Sequence, residues 1–391
     1  MQNESLNCPV GKKCGGCQLS NMTYAEQLSF KQAKVIRLLG KMHRVDDIVP
    51  SPRVFHYRNK VQAAFGRTRS GMIISGVYQS STHNIVKTDC CMIEDETADE
   101  IIVTIREMLR SFGLSVYDER TGKGFLRHVL VKRAFSTGEI MVVLVTGSPV
   151  FKSKNAFCEE LLRRYPAITT IILNVNNRFT SLVLGEKETV LYGNGYITDV
   201  LCGIRFRISS KSFYQVNRDC AELMFGKAME YVGLSGKERV IDAYSGVGTI
   251  GLIAASSAKE VISVELNRDA VKDAIVNAKI NDIRNVHFYC ADATVFLSEM
   301  AQAGEKADLV IMDPPRAGST VKFMRSVVSL SPQKILYISC NPETLARDLT
   351  FFLKHQYKIR KCQPFDMFPF TEHVETVVLL EKTSLSEGKN P

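Results

Sequence analysis

The sequence lacks the features that would place the protein in a membrane, in a secretory pathway or in a repeat array. None of its apolar runs approaches the roughly 18 residues that a membrane span requires. The first residues, MQNESLNCPVGKKCGG, contain no apolar stretch of the kind found in secretion signals, and no internal repeat is visible. We therefore expect a cytoplasmic protein that does not bind membranes, and we expect it to be a monomer.

Length and charge leave the class of protein open but suggest a kind of partner. At roughly 100–200 residues per domain, the 391 residues suffice for two or three domains. The net charge of +9 is compatible with a polyanionic partner. Many soluble enzymes are equally basic, so the charge alone does not decide the function.

The cysteines indicate a metal site. Eleven cysteines would be unusual as disulfides in a reducing compartment. Cys8, Cys14 and Cys17 lie within ten residues of one another, and such clustering is typical of metal ligands. Four thiolates could hold zinc, but zinc ribbons more often use two C-x2-C pairs, and only one is present here.

A helix is predicted directly after the cysteine-rich segment. Thr23 and Glu26 fit a capping box, apolar residues then repeat at helical spacing, and Gly40 can end the helix. We expect this helix to pack on the C-terminal domain.

The rest of the chain divides into a strand-rich region and an alternating region. Strands dominate from about Val54 to Ile208, with helices predicted near Glu96–Phe112 and Lys152–Arg164. After Phe206, strands alternate with helices, which predicts a parallel, doubly wound sheet. The fold class is therefore α/β: a Rossmann-like C-terminal domain preceded by a mainly β (α+β) domain. The predicted segments are 1–20 (cysteine-rich), 21–50 (helical), 51–208 (central domain) and 209–391 (C-terminal domain).

A glycine-rich turn in the C-terminal domain predicts a cofactor site. In Val240–Gly251 (VIDAYSGVGTIG) a strand runs through glycines into a helix. Such glycines also fit a dinucleotide, with Glu265 on a ribose, or merely a tight turn. Asp242 favours S-adenosylmethionine, because a carboxylate there would repel a pyrophosphate and suits a cationic amino-acid group. Asp292, after the third strand, is placed to meet the adenine.

Two short motifs follow the next two strands. DPPR ends at Arg316, and SCNP contains Cys340. Ligands bind at the carboxyl ends of strands in such sheets. DPPR resembles the Asp-Pro-Pro-aromatic motif of amine methyltransferases, but Arg316 stands where their aromatic ring would be, and this disfavours methylation of an amine.

Cys340 is a candidate nucleophile for methylation of a pyrimidine. Uracil C5 is a poor nucleophile, but a thiolate added to C6 would make C5 an enolate-like carbon that can attack a methyl sulfonium. The C5 proton must then be removed, and Glu375 or His373 could be the base. A cysteine at a strand end is otherwise most often a small buried apolar residue. The position of Cys340 after DPPR favours the catalytic interpretation.

Several motifs together resemble the RNA uracil-C5 methyltransferase family over nearly the whole chain. FYQVN (213–217) is similar to the family's FFQVN, DAYSGVGTIGL (242–252) to its DxFxGxG motif and DMFPFTEHVET (366–376) to its DMFPxTxHVE signature. The resemblance implies an S-adenosylmethionine-dependent RNA (uracil-5-)-methyltransferase with Cys340 as nucleophile and Glu375 as general base. It implies as cofactor-binding residues Gln215, Tyr244, Thr249, Glu265, Asp292 and Asp313.

The cysteine pattern is similar to the [4Fe–4S] site of the family's 23S ribosomal RNA branch. This likeness implies the ligands Cys8, Cys14, Cys17 and Cys91, with Cys90 as the alternative to Cys91. We expect a structural cluster that shapes an RNA-binding surface. Many relatives begin with a TRAM barrel; we expect this protein to lack it and its central domain to supply more of the RNA affinity. The branch implies large-subunit ribosomal RNA as the substrate, with uridine 54 of transfer RNA as the alternative.

Basic and aromatic residues of the central domain are candidates for RNA contact, because cations meet phosphates and exposed rings stack on unpaired bases. The candidates are Arg53, Phe55, Tyr57, Arg58, Lys60, Arg67, Arg69, Phe125, Arg127, Lys132 and Arg133. The same pattern also fits solvated strand positions. In the C-terminal domain, Phe213 or Tyr214 could stack on a uridine flipped out of its helix.

Two other classes of function are weighed against this one. A nucleotide-dependent redox enzyme could use a cluster for electron transfer, and bound NAD(P) would reveal it. A non-catalytic RNA-binding module is the second, and the presence of Cys340, Glu375 and DPPR argues against it.

Overall fold

The computed structural model describes residues 8–80 and 82–383. Within these ranges the helices are α1 (Gly11–Cys14), α2 (Tyr24–Leu39), α3 (Glu96–Ser111), α4 (Lys154–Arg164), α5 (Arg218–Val232), α6 (Thr249–Ala255), α7 (Arg268–Ile280), α8 (Ala293–Gln302), α9 (Val321–Leu330) and α10 (Pro342–Leu353). The strands of the first half are β1 (Lys60–Arg67), β2 (Ile73–Tyr78), β3 (Ile85–Lys87), β4 (Leu126–Arg133), β5 (Ile140–Thr146), β6 (Ile168–Val175), β7 (Lys187–Tyr192), β8 (Tyr196–Leu201) and β9 (Ile204–Ser209). Those of the second half are β10 (Arg239–Ala243), β11 (Glu260–Glu265), β12 (Val286–Cys290), β13 (Leu309–Met312), β14 (Lys334–Ser339), β15 (Tyr357–Phe365) and β16 (Glu375–Lys382).

The helix predicted after the cysteine-rich segment is α2, and its capping box is present. The Thr23 backbone N–H donates to Glu26 Oε2 over 2.7 Å, and the Glu26 N–H donates back to Thr23 Oγ1. The two bonds satisfy backbone donors that a helix start leaves without partners. The apolar stripe of α2 packs on the C-terminal domain through Val35 and Leu39, both 0% exposed.

The central sheet has the strand order β3-β2-β1-β4-β5-β6-β7. Its neighbours are antiparallel except for β5 and β6, which are parallel and connected through α4. Val129 and Val131 of β4 face the core formed with α3 and α4, whereas Leu130 faces the core shared with the C-terminal domain. Since both faces are covered, β4 and β5 are almost entirely buried.

The C-terminal sheet is doubly wound, in the order β12-β11-β10-β13-β14-β16-β15. The first five of these strands are parallel, and β16 runs antiparallel to its neighbours. Helices cover both faces, so the strands are continuous apolar runs, as expected for parallel sheets. The strand order reverses between β10 and β13, and in doubly wound sheets ligands bind at such a point, beside the carboxyl ends of the strands.

The structure confirms the mixed α/β class with a parallel sheet in the C-terminal half. The helices predicted near residues 96–112 and 152–164 are α3 and α4, within two residues of the predicted ends. None of the helices in the described ranges has the length and hydropathy that crossing a bilayer demands.

Candidate active site

The predicted catalytic and cofactor residues meet at one edge of the C-terminal sheet. Tyr244 follows β10, Glu265 ends β11, Asp313 follows β13 and Cys340 follows β14. Because β16 is antiparallel to β14, its first residue, Glu375, lies at the same edge. Residues distant in the sequence thus lie at the same edge of the sheet.

A buried carboxylate holds the glycine-rich turn. Asp242 is 1% exposed, and the Gly251 N–H donates to its Oδ2 over 2.8 Å. A Cβ on Gly251 would lie 2.7 Å from Asp242 Oδ2, so only glycine fits. Burial raises the pKa of Asp242 to about 8. The structure therefore corrects the role that the sequence suggested, because this carboxylate is enclosed and fixes the turn instead of meeting a cationic ligand.

The same turn leaves room for a ligand. Tyr244, Gly246 and Gly248 have φ angles of 65°, 56° and 82°, a left-handed backbone that glycine adopts without strain and other residues rarely adopt. A Cβ added at Gly246 would meet no atom within 4 Å, so open space lies on that side. The ring of Tyr244 is supported from behind by Phe323, at a centroid distance of 5.0 Å. Thr249 is the first residue of α6, directly after the turn.

Glu265 and Asp292 are both held by backbone donors. Glu265 accepts from the N–H groups of Gly246, at 2.9 Å, and of Asn267, at 2.7 Å. Asp292 caps α8, with its Oδ1 accepting from Thr294 N at 2.8 Å. The Oδ1 atom of Asp292 therefore has a structural role as a helix cap. The side chain as a whole is exposed at the sheet edge.

Strand register places Glu375 beside Cys340. The ladder between β14 and β16 ends with Ser339 opposite Thr376, so the next residues outward are Cys340 and Glu375. The pKa of Cys340 is raised to about 11. Burial is the main cause, and the nearby carboxylates of Glu375 and Asp313 contribute to the rise. In the free protein the thiol is therefore mostly protonated at neutral pH.

The pKa values of the carboxyl groups at this edge, Glu375 and Asp313, are also raised. Burial raises the pKa of Glu375 to about 8, with a further rise from Asp313 and an opposing effect of Arg316. Burial alone raises the pKa of Asp313 to about 7. A carboxyl group with a pKa near neutrality can take up and release a proton at working pH, which general-base chemistry requires.

Arg316 is the cation of the site. Its guanidinium lowers the pKa of Cys340 through charge and a hydrogen bond, and it donates to His373 Nδ1 over 2.6 Å. The pKa of His373 is lowered by burial and then by Arg316, so the neutral ring is an acceptor for the guanidinium. Sequence reasoning treated Arg316 only as a departure from another motif and missed this contact with Cys340.

Residues 209–217, which contain Phe213 and Gln215, are held by hydrogen bonds from the central domain. Lys132 Nζ donates to the carbonyl oxygens of Ser209 and Ser212, both at 2.8 Å, and Asn59 Nδ2 donates to the carbonyl of Gln215 at 2.9 Å. These contacts hold the backbone on both sides of Phe213. Gln215 itself is half-buried at the end of the segment.

The two aromatic residues of this segment differ in exposure. Phe213 is 68% exposed, whereas Tyr214 is 8% exposed and packs against Phe206 with its hydroxyl toward Asp199. Of the two rings, only that of Phe213 is accessible to a flipped base, and Tyr214 belongs to the core.

A buried ion pair ties α2 to the loop before Glu375. Lys31 Nζ lies 2.5 Å from Asp366 Oδ1 and 2.9 Å from the carbonyl oxygen of Phe368, and both charged groups are 0% exposed. One turn away on α2, Gln27 accepts from the Phe370 N–H over 2.7 Å. Sequence reasoning missed this clamp. Its signal was available, since Gln27 and Lys31 lie on the same apolar stripe as Val35.

The cysteines of the N-terminal segment converge with Cys91 and Cys90 on one cavity of about 210 Å³. Cys91 is half-buried and packs with Cys8 and Cys17 around Tyr57, whereas Cys90 is exposed. The cavity is also lined by Arg58, whose Nε is buried without a hydrogen-bond partner. In residues 8–80 and 82–383, no three or more histidine, cysteine or acidic side chains are arranged closely enough to hold a single metal ion.

The prediction that basic and aromatic residues of the central domain contact RNA is wrong for the four of them that are buried. Tyr57, Phe125, Arg127 and Lys132 are at most 8% exposed. The Arg127 guanidinium donates to backbone carbonyls in the loop after β6. These side chains support the fold. The exposed members of the set are Arg53, Lys60, Arg67 and Arg69.

Comparison with known proteins agrees with this arrangement. The model of the tRNA (uracil-5-)-methyltransferase family matches residues 182–383. An uncharacterised RNA methyltransferase of Halalkalibacterium halodurans is 40% identical over 379 residues, which cover 96% of this chain and 82% of the relative. Another from Clostridium tetani is 41% identical over 377 residues, covering 95% and 82% of the two chains.

A solved structure with the same fold contains a ligand related to S-adenosylmethionine. The Pyrococcus abyssi tRNA (uracil-54, C5)-methyltransferase, in complex with S-adenosyl-L-homocysteine, matches with a TM-score of 0.78 and 31% identity, covering 94% of this chain and 86% of that one. Family match, full-length relatives and fold agree with one another. The chain therefore belongs to the RNA uracil-C5 methyltransferase family and is an S-adenosylmethionine-dependent enzyme.

Proposed function

We propose that this protein methylates C5 of a uridine in a structured RNA through a covalent adduct on Cys340. The observation that carries the proposal is the meeting of a thiol, a carboxyl group and a guanidinium at the open edge of the sheet: Cys340, Glu375 and Arg316. This combination provides a nucleophile, a base and a counter-charge for one reaction centre.

The glycine-rich turn fits S-adenosylmethionine. The space beside Gly246 accepts a ligand, and Gln215, Tyr244, Thr249, Glu265, Asp292 and Asp313 are the residues that we assign to binding it. When bound, it supplies an electrophilic methyl group on a sulfonium.

The chain's own residues would then act in sequence. The Cys340 thiolate adds to C6 of the flipped uracil, and the electron pair of the C5–C6 double bond moves toward C5. C5 takes the methyl group as the bond from that methyl to the sulfonium sulfur breaks and its electron pair stays on sulfur, and the Glu375 carboxylate then removes the C5 proton. The C5–C6 double bond re-forms as the Cys340–C6 bond breaks, so the thiolate is returned. Phe213, which is exposed next to the crevice, would stack on the flipped base.

The test combines two variants with a mechanism-based trap. RNA containing 5-fluorouridine should form a stable adduct with the wild type, because fluorine cannot leave as a cation. Cys340→Ala should form none and still bind S-adenosylmethionine, whereas Glu375→Gln should accumulate methylated, covalently bound RNA from normal substrate. Full methylation by Cys340→Ala would refute the proposal. If His373→Ala, and not Glu375→Gln, accumulates the adduct, His373 is the base.

We also propose that Cys8, Cys14, Cys17 and Cys91 hold a [4Fe–4S] cluster with a structural role. The residues fit such a group: the thiols share one cavity, and the buried guanidinium of Arg58 offsets the negative charge of thiolate ligands. A cluster spaces its ligands more widely than one ion does. Cys91 is preferred to Cys90 because it faces inward.

Elemental analysis tests the cluster. Protein purified without oxygen should contain iron and acid-labile sulfide and absorb broadly in the visible range. Stoichiometric zinc without sulfide would refute the assignment.

For the substrate, we propose large-subunit ribosomal RNA, on the resemblance of the cysteine pattern to that branch. Uridine 54 of transfer RNA is the second candidate, favoured by the likeness to the Pyrococcus abyssi enzyme. Methyl transfer to protein-free large-subunit RNA and to unmodified transfer RNA, assayed side by side, separates the two. Labelling of the transfer RNA alone would mean that the second candidate is correct.

A further inference from the structure

One aromatic side chain outside the crevice is almost fully exposed. Phe179, in the loop between β6 and β7, is 90% exposed, more than any other large hydrophobic residue in the described ranges. A single exposed apolar residue is common on protein surfaces, so the exposure alone does not define a site. The loop around the ring supplies further observations.

The loop that carries Phe179 is held in a defined shape. Asn176 Nδ2 donates to the carbonyls of Leu182 and Val183, at 2.7 and 3.0 Å, which closes the loop across its base. From beneath, the buried Arg127 donates to the carbonyls of Asn176, at 2.7 Å, and Arg178, at 2.9 Å. The ring is therefore presented on an ordered backbone, so that binding on it would cost little conformational entropy.

The loop is also joined to the segment that carries Phe213. Lys211 Nζ donates to the Glu186 carbonyl over 3.0 Å, and Ser210 Oγ donates to Glu188 Oε1 over 2.7 Å. Phe213 follows two residues after Lys211 and is 68% exposed. The loop that carries Phe179 and the segment that carries Phe213 are thus hydrogen-bonded to each other, and each of them presents an exposed phenyl ring.

The surroundings of the loop suit a nucleotide. Arg178, Lys187 and Lys211 are exposed beside it, and a cavity of about 350 Å³ at the loop is lined by Arg178, Lys187, Asn176, Asn177 and Glu186, among others. Two acidic side chains near the loop already have partners: Glu186 pairs with Arg178 at 2.9 Å, and Glu188 accepts a hydrogen bond from Ser210. Cations beside an exposed ring match a phosphate next to a base.

We propose that Phe179 is a second base-stacking site, which holds an unpaired nucleotide of the RNA near the target uridine. This inference rests on the proposed function, because it needs a single-stranded RNA segment in the crevice. Aromatic rings stack on any base, since every base has a π-face, and flanking cations bind the backbone. Phe179 would thus help to hold open the strand from which the uridine is flipped.

The experiment compares Phe179→Ala with Phe179→Trp and with a matched control, Leu182→Ala, which removes another exposed apolar side chain of the same loop. The probe is the RNA that the wild type methylates, with 2-aminopurine placed in turn at positions flanking the target. Stacking is worth about 1–3 kcal/mol per base, so Phe179→Ala should weaken RNA binding about 5- to 150-fold at fixed salt. The tryptophan variant and Leu182→Ala should bind as the wild type does.

A separate readout shows whether the ring itself meets a base. One 2-aminopurine position should lose fluorescence when the wild type or Phe179→Trp binds, and should remain bright with Phe179→Ala. The affinity for S-adenosylmethionine should be equal in all four proteins.

The outcomes distinguish this inference from the proposed function. If the wild type methylates no uridine, the proposed function fails. If it does methylate one, but Phe179→Ala binds that RNA with wild-type affinity, only the stacking site is refuted. A matched loss of affinity in Leu182→Ala would also refute it, because the loop's apolar surface would then be the binding element.

Discussion

The electrostatics of the active site predict an unusual effect of Glu375→Gln on the first chemical step. The pKa of Cys340 is raised from 9.0 to about 11, which leaves about a hundredfold less thiolate at neutral pH than an ordinary cysteine has. Burial is the largest cause of the rise, and Glu375 is the next. Removal of the Glu375 charge should therefore accelerate adduct formation, even though we expect the same change to prevent resolution of the adduct.

The size of the effect of Glu375→Gln on adduct formation depends on pH. Because the pKa of Glu375 is itself raised to about 8, this side chain is mostly neutral below pH 8 and hardly affects the thiol there. Above pH 8 it ionises, and its negative charge opposes formation of the thiolate. The two proteins should thus form adducts at equal rates at pH 7, and Glu375→Gln should be several-fold faster at pH 9.

RNA that contains 5-fluorouridine makes the comparison clean. Both proteins stop at the same adduct, so the rate of adduct formation can be followed by quenching in denaturant and gel electrophoresis. Ionisation of the RNA changes with pH in the same way for both proteins, so its effect cancels in the ratio of the two rates. Cys340→Ala should give no adduct at any pH. A rate ratio that stays at one up to pH 9 would refute the proposed coupling between the carboxylate and the thiol.

Three further predictions concern the scaffold. Lys31→Met leaves the buried carboxylate of Asp366 unpaired, so the free energy of unfolding measured in urea should fall by about 3–5 kcal/mol. The double variant that also carries Asp366→Asn should regain part of this stability. An unchanged urea midpoint for Lys31→Met would contradict the prediction. Gly251→Ala places a Cβ 2.7 Å from a carboxylate and a hydroxyl oxygen, so it should cost about 1–3 kcal/mol of stability and weaken S-adenosylmethionine binding in calorimetry, while Cys340→Ala should leave binding intact. Cys91→Ala should lower the iron content of the purified protein and Cys90→Ala should not, because Cys91 is half-buried whereas Cys90 is exposed; the opposite result would make Cys90 the ligand.

Local signals accounted for much of the secondary structure. The capping box of α2 depends on residues three positions apart, and the apolar runs of the C-terminal half are long because both faces of a parallel sheet are covered. These features can be seen in a single sequence. The order of motifs along the chain also indicated the family, since each chemical role needs a particular residue type at a strand end.

Burial of the charged and aromatic residues could not be predicted in the same way. Arg127 and Lys132 lie in a strand whose two faces are both covered, so alternation along the strand does not separate solvent from core. Their long side chains are buried because backbone carbonyls of other segments accept their hydrogen bonds. Such acceptors come from distant parts of the chain, and no local pattern reveals them.

By itself, the sequence determined the chemistry: a thiol in SCNP, a carboxyl group in the DMFP signature and glycines after a strand. Only the tertiary structure decided how these groups act on one another. The antiparallel register of β16 brings Glu375 to Cys340, and an ion pair between residues 335 positions apart holds the loop before Glu375. The physical reason is that pKa values and buried charges depend on distance in space and on access to water, and folding sets both through contacts between remote segments.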